Sequence, residues 1–231
     1  MTLQVCESDE RWMGLARAAL QSACKTGSTV HLCLSGGTTP KPLYDRLAKS
    51  DDFRALLAER DLHLWVGDER ETIANSGLRN SEMIASCFRG LPLTLHLWPL
   101  GPREGAASAY EAELEHVRAR AYSRLENESR PEEPLFDLVL LGMGEDGHCA
   151  GLFSPSDLVP RPRGLVRLTE APTEPKWRMT LSSEALLSSR KIIVLVQGRS
   201  KIRRFMSNLF GEAHDPISIF MRDTTEVIAQ L

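Results

Sequence analysis

The sequence predicts an α/β fold: a mostly parallel sheet with helices on both faces. Three observations predict it. Short apolar runs alternate with helix-patterned segments, as crossover-connected parallel strands require. The run FDLVLLG (136–142) is nearly all apolar, as a strand covered on both faces should be. Residues 103–122 carry Ala107, Tyr110, Leu114, Val117 and Ala121 at spacings of three and four, which is the period of an amphipathic helix.

The other elements follow in order. LQVC (3–6) reads as a strand. Residues 9–24 read as a helix with Trp12, Leu15, Ala16, Ala19 and Leu20 on one side. VHLCL (30–34) is a short buried strand. PKPLYDRLA (40–48) is a helix whose early prolines fit its first turn, with Thr39 as its expected cap. LHLWVG (62–67) and TLHLW (94–98) are further short apolar runs. NESRPEEP (127–134) is a solvated loop. Residues 154–175 hold five prolines and read as loop, with a short strand near 165–169. WRMTL (177–181) and KIIVLVQ (191–197) are strands with a helix between them. SKIRRFMSNLF (200–210) is a helix with Ile202, Phe205, Met206 and Leu209 inward, and VIAQ (227–230) a last strand. The whole chain, 1–231, is expected to form one domain, a size sufficient to bury a sizeable core.

Composition narrows the function classes. Lys+Arg 28 against Asp+Glu 31 gives a formal net charge of -3, which speaks against a dedicated nucleic-acid binder. No apolar run approaches the roughly 18 residues that span a bilayer, and the N-terminus lacks the apolar core of a secretory signal. Five cysteines (Cys6, Cys24, Cys33, Cys87, Cys149) form no CxxC pair. They read as free thiols in a reducing cytoplasm, neither a disulfide frame nor a zinc knuckle. No HExxH motif occurs, and no metal is expected.

In a doubly wound sheet, ligands sit beyond the carboxyl ends of the strands, so the segments after each strand carry the chemistry. After strand 30–34 comes SGGTTP (35–40). Gly36 and Gly37 permit a tight turn and close approach, Ser35, Thr38 and Thr39 offer hydroxyls, and the next helix presents its N-terminus. This is either an anion cradle suited to phosphate or a plain glycine turn. It is not a Walker A loop, because GK[ST] is absent. After strand 62–67 come Asp68, Glu69 and Arg70, either a solvated salt-bridged triplet or a carboxylate and guanidinium set to orient a reactive group.

The richest segment is LGMGEDGHCAGLF (141–153). Gly142, Gly144 and Gly147 spell a formal GxGxxG, but a proline-rich stretch follows where a dinucleotide fold needs a long helix. Asp146 and His148 are the better candidates. Histidine titrates near neutrality and is the commonest general base, and a carboxylate two residues away can hold its tautomer and support the imidazolium. The bland alternative is a histidine that merely bonds to its own loop. Two cations complete the set: Arg178 on the WRMTL strand and Lys201 at the start of the following helix. Lys191, Arg199, Arg203 and Arg204 read as surface charges. Cys149 could be a thiol nucleophile, but adjacent residues point different ways and nothing else marks it.

Together LSGGTTPKPLYDRL (34–47), VGDER (66–70), RNSEM (79–83), FDLVLLGMGEDGHCAGLFSP (136–155), WRMTL (177–181) and VQGRSK (196–201) resemble the 6-phosphogluconolactonase family. The resemblance implies a Rossmann-like three-layer sandwich. It also implies hydrolysis of 6-phospho-D-glucono-1,5-lactone, the second step of the oxidative pentose phosphate pathway, without metal or organic cofactor. In that resemblance His148 matches the general base, Asp68 the acid of the DER motif, and Gly36, Gly37 and Thr38 the phosphate-side loop. Arg70, Arg178 and Lys201 match basic residues that hold phosphate or the developing oxyanion. The partner implied is a small sugar-phosphate lactone, with the protein a monomer or weak homodimer.

The sequence also departs from the family pattern. Cys149 replaces the usual threonine, Ala150-Gly151 the usual alanine-serine pair, and ETIANSGL (71–78) a proline-containing stretch. Two rivals remain. Glucosamine-6-phosphate deaminases share the fold and a DGH segment. They place a glutamate five residues after the histidine, where this chain has Phe153, and a tyrosine where it has Arg70. A non-catalytic sugar-phosphate sensor would be expected to lose the base, whereas Asp68, Asp146 and His148 are all present.

Overall fold

The chain opens with β1 (Thr2–Cys6) and α1 (Asp9–Ala23). The Ser8 hydroxyl caps α1 by accepting from Arg11 N, and Asp9 and Glu10 complement the dipole in the first turn. Its inward face carries Trp12, Ala16, Ala19, Leu20 and Ala23, and Trp12 Nε1 donates to the Ile228 carbonyl at 3.0 Å. Then come β2 (Thr29–Leu34), α2 (Lys41–Lys49), α3 (Asp51–Glu59), β3 (Asp61–Val66), β4 (Asp68–Arg70), α4 (Asn80–Cys87), β5 (Thr94–His96) and α5 (Arg103–Ser123). The second half holds β6 (Leu138–Gly142), β7 (Val166–Glu170), β8 (Trp177–Leu181), α6 (Ser183–Leu187), β9 (Ile192–Gln197), α7 (Arg199–Leu209) and β10 (Thr225–Gln230), with 3-10 turns at Pro155–Leu158 and Pro216–Phe220. This computed structural model describes residues 1–25, 27–123, 134–159 and 164–231. The loop expected at 127–134 lies outside them except for residue 134, and so does the side chain of Ala121.

Seven strands form one sheet in the order β1-β10-β9-β6-β2-β3-β5, and every neighbouring pair is parallel. β6 is buried from Leu138 to Leu141 and β9 from Ile192 to Val196, so both faces of the sheet centre are covered by the flanking helices. The chain runs outward from β2 through β3 to β5, then returns to place β6 on the other side of β2. The order therefore reverses between β2 and β6, and the crevice beyond their carboxyl ends is the topological switch point.

Four features correct the sequence reading. Thr39 does not cap α2. Pro40, already in the helical region at φ -81, is the cap residue, and its carbonyl accepts from Tyr44 N. Residues 51–59 form a helix capped by the Ser50 hydroxyl, which accepts from Phe53 N at 3.3 Å. Strands β7 and β8 do not join the parallel sheet. They form a separate antiparallel sheet in the order β4-β8-β7. Asp68, Glu69 and Arg70 are consequently strand β4 and not a solvated triplet. Gly67 is the transfer point, donating to Leu34 O and accepting from Leu181 N.

Candidate active site

Three loops meet at the switch point. The glycine turn after β2 is tied to the end of β6 by one side chain: the Ser35 hydroxyl donates to Leu140 O at 2.7 Å and accepts from Gly142 N at 3.1 Å. That hydroxyl, expected to face a phosphate, spends its proton on the sheet. Gly37 adopts φ +100, a left-handed conformation natural to glycine. Gly36 is required by a neighbour, since a Cβ there would lie 1.9 Å from Asn80 Oδ1.

Asn80 stands out in the sequence only as part of RNSEM. It is buried, lines the cleft, and donates from Nδ2 to Asp68 O at 2.8 Å. Glu69 holds it there. The Glu69 carboxylate accepts from Asn80 N and Ser81 N at 2.8 and 2.9 Å and faces Arg79 at 3.5 Å, so it neutralises the N-terminus of α4. Of the three residues of β4, Glu69 is thus spent on architecture, and Asp68 and Arg70 face the cleft.

A cavity of about 230 Å³ is lined by Ser35 to Pro40, Asp68, Arg70, Asn80, Gly142 to Gly144, His148, Ala150 and Lys201. A second, of about 520 Å³, adjoins it and shares Asp68, Arg70, His148 and Ala150. It adds Leu78, Glu145, Asp146, Phe153, Pro172 to Pro175 and Arg178. His148 stands where the two meet. Its Nδ1 lies 2.5 Å from Asp146 Oδ1. With Nδ1 carrying the proton toward that carboxylate, Nε2 is left as the acceptor. The loop has no room to spare, because a Cβ on Gly144 would meet the His148 ring at 2.2 Å.

The expected site residues therefore divide between two compartments. Gly36, Gly37, Thr38, Thr39 and Lys201 line the first, Asp146 and Arg178 the second, and Asp68, Arg70 and His148 both. Arg178 is paired in register with Arg70 across β4–β8 and donates from Nη1 to the Pro175 carbonyl. Arg70 donates to Leu78 O at 2.5 Å, while its buried Nε has no partner among the described residues. Burial pushes the Asp68 carboxyl above its ordinary value, and the Arg70 guanidinium opposes that shift. The hydrogen bond to His148 pulls Asp146 down to about 2, so it is charged at neutral pH. Burial and the neighbouring Arg70 lower Arg178. Cys149 is buried, with its thiol pushed up by burial, which disables it as a nucleophile. The Phe153 ring stacks obliquely 4.8 Å from the His148 ring. Among the described residues no group of three or more His, Cys, Asp or Glu side chains is arranged to hold a metal ion.

Fold and site are those of an α/β protein with its ligand crevice at the switch point of a seven-stranded parallel sheet. The profile of the family "Glucosamine-6-phosphate isomerases/6-phosphogluconolactonase" matches residues 6–229, and the chain belongs to that family. A 6-phosphogluconolactonase of Synechocystis sp. is 30% identical over 194 residues, covering 80% of this chain and 73% of its own. The GDH/6PGL endoplasmic bifunctional protein of Oryctolagus cuniculus is 34% identical over 195 residues, 80% of this chain, and the chain spans only 22% of that protein's length. Among solved structures, 6-phosphogluconolactonase from Thermotoga maritima superposes with a TM-score of 0.78 at 24% identity, covering 99% of this chain and 98% of that one.

Proposed function

We propose that this chain hydrolyses 6-phospho-D-glucono-1,5-lactone to 6-phospho-D-gluconate by general-base activation of water. The observation that carries the proposal is the position of His148. Its imidazole stands between a glycine-turn pocket closed by Lys201 and a compartment walled by Arg70 and Arg178, with Nδ1 engaged by Asp146. The phosphate enters the first compartment, where the backbone of Gly36 to Thr39 and the Lys201 ammonium receive it. This remote binding energy positions the lactone ring beside the base.

His148 Nε2 takes a proton from water as the water oxygen bonds to the lactone carbonyl carbon. Negative charge builds on the carbonyl oxygen, and the guanidinium wall of Arg70 and Arg178 stabilises it. The intermediate collapses by breaking the bond to the ring oxygen, which receives the proton from His148. The products are an open-chain hydroxyl and a carboxylic acid, which loses its remaining proton to solvent at neutral pH and becomes the carboxylate. Asp146 stays charged throughout and supports the transient imidazolium. Asp68 faces both compartments and balances the cationic wall. No covalent enzyme intermediate is required.

The chain acts as one catalytic domain, a monomer or weak homodimer, and its partner is the small lactone. Four of the five free cysteines are buried thiols, in keeping with a reducing cytoplasm. No helix among the described residues is long and apolar enough to cross a membrane. Phe153 beside His148 disfavours the deaminase alternative, since a phenyl ring moves no proton. The test is acid release from the lactone, corrected for spontaneous hydrolysis, against ammonia release from glucosamine 6-phosphate. Catalysed acid release without ammonia is expected. Ammonia release would make the chain a deaminase, and sugar-phosphate binding without either reaction would make it a sensor.

A further inference from the structure

Asp215 lies outside both cavities, on the loop between α7 and the 3-10 turn, yet it is built into the back of the His148 loop. Gly147 adopts φ +84, and a Cβ there would come within 2.2 Å of Asp215 Oδ2, so the carboxylate packs directly on the Gly147 backbone. The Gly147 carbonyl in turn accepts from Ile217 N at 3.2 Å. Asp215 is gripped from α7 on two sides. Arg204 donates from Nε and Nη2 to its two oxygens, both at 2.6 Å, a bidentate pair. Asn208 donates from Nδ2 to Oδ2 at 2.6 Å, and its Oδ1 accepts from Asp215 N at 2.8 Å. Asn208 and Asp215 are largely buried, whereas the Arg204 side chain is 43% exposed. The same helix carries Lys201, three residues ahead of Arg204, into the first cavity.

We infer that Asp215 is a positioning residue for the lactone hydrolysis proposed above. It fixes Gly147, and through it the adjacent His148, relative to the helix that presents Lys201. The strut ties the proton acceptor and one cation of the phosphate pocket into a single rigid piece. Asp215, Arg204 and Asn208 line neither cavity, so their loss acts on the alignment of the His148 loop. Misplacing a base by about 1 Å is enough to slow a reaction by up to about a hundredfold.

This inference rests on the proposed lactonase reading, and the test separates the two. Lactone hydrolysis is measured for wild type, Asp215→Ala, Asp215→Asn and Arg204→Ala, with melting temperatures taken alongside. If the wild type shows no catalysed hydrolysis, the reading itself fails. If the wild type is active, Asp215→Ala should lower kcat about ten- to a hundredfold with KM within about twofold. Asp215→Asn, which keeps the outline against Gly147, should recover most of the loss, and Arg204→Ala should lose less than Asp215→Ala. Combining Asp215→Ala with His148→Ala should add no further loss, because alignment of an absent base is worthless. An unchanged kcat in a folded Asp215→Ala protein overturns the inference. So does a KM that rises as far as kcat falls, or a full additional loss in the double variant. Should Asp215→Ala fail to fold, an Arg204→Ala variant with wild-type kcat overturns it equally.

Discussion

One histidine beyond the sheet and three on it stand in opposite settings. His148 stands in a loop beyond β6, one-third exposed, with a single carboxylate partner and open space beside its second nitrogen. His31 and His63 are register partners on β2 and β3, and His96 on β5 lies opposite Trp65, two residues beyond His63. There every ring is engaged. His63 Nδ1 lies 2.8 Å from His96 Nε2, His96 Nδ1 lies 2.7 Å from Glu113, and Trp65 Nε1 donates to His31 Nδ1 at 3.1 Å. The Trp65 and His96 rings stack at 3.6 Å. Burial, with His63 beside it, holds His31 down to about 4, and burial lowers His96 as well. His63 and His96 spend both ring nitrogens on neighbours, and burial penalises the charged forms of His31 and His96; these rings are mortar. A histidine with a nitrogen facing a cavity is a tool.

Substitutions can break this contrast. The largest effect is expected at the tool. His148→Ala should cut turnover by about 10²–10⁴ while its melting temperature stays near that of wild type; activity assays and thermal melts read both. Next come the glycines that shape its loop. Gly144→Ala drives a methyl into the His148 ring and should lower kcat at least about tenfold, whereas Gly142→Ala meets nothing within 4 Å and should leave kcat within about threefold. Equal effects of the two would mean that the crowding around the ring does not matter.

The mortar should answer to pH instead. His31 binds a proton near its ordinary value of 6.5 when unfolded but only near 4 when folded. Between those values the unfolded chain holds more protons, so the stabilisation is complete above about 6.5 and is lost as pH falls toward 4. The groups facing His31 are His63, His96, Asp61 and Asp137. Melting temperature should fall across this window, and His31→Asn should flatten the fall without changing turnover at neutral pH. A pH-independent melting curve would deny the cluster its structural role. The smallest effect belongs to Cys149→Ala, where activity should persist because that thiol is buried. Abolished turnover in a folded variant would revive a nucleophilic mechanism.

Much of this was legible in the sequence. Strands such as 136–142 and 191–197 announce themselves because both their faces are buried. The glycine turn, the DGH segment and Lys201 were legible because ligand loops follow strands in this architecture. The illegible parts depend on distant partners. β4 is written Asp-Glu-Arg, a pattern that looks solvated until Asn80 and Ser81 supply the amide donors that satisfy Glu69. The helix at 51–59 buries only Phe53 and Leu57 over nine residues, too short a stripe to stand out. Ser35 reads as a ligand hydroxyl in sequence because its partners, Leu140 and Gly142, come from the far side of the switch point. In sequence Arg204 reads as a surface charge, and its bidentate hold on Asp215 emerges only when α7 packs against the loop that follows it.

The most direct test of the central claim is chemical rescue. In His148→Ala the lost side chain leaves space open to both cavities. Added imidazole should restore lactone turnover in proportion to its concentration and leave the wild type unaffected. A His148→Ala protein that turns over within a few-fold of wild type with no base added would contradict the claim that this imidazole takes the proton.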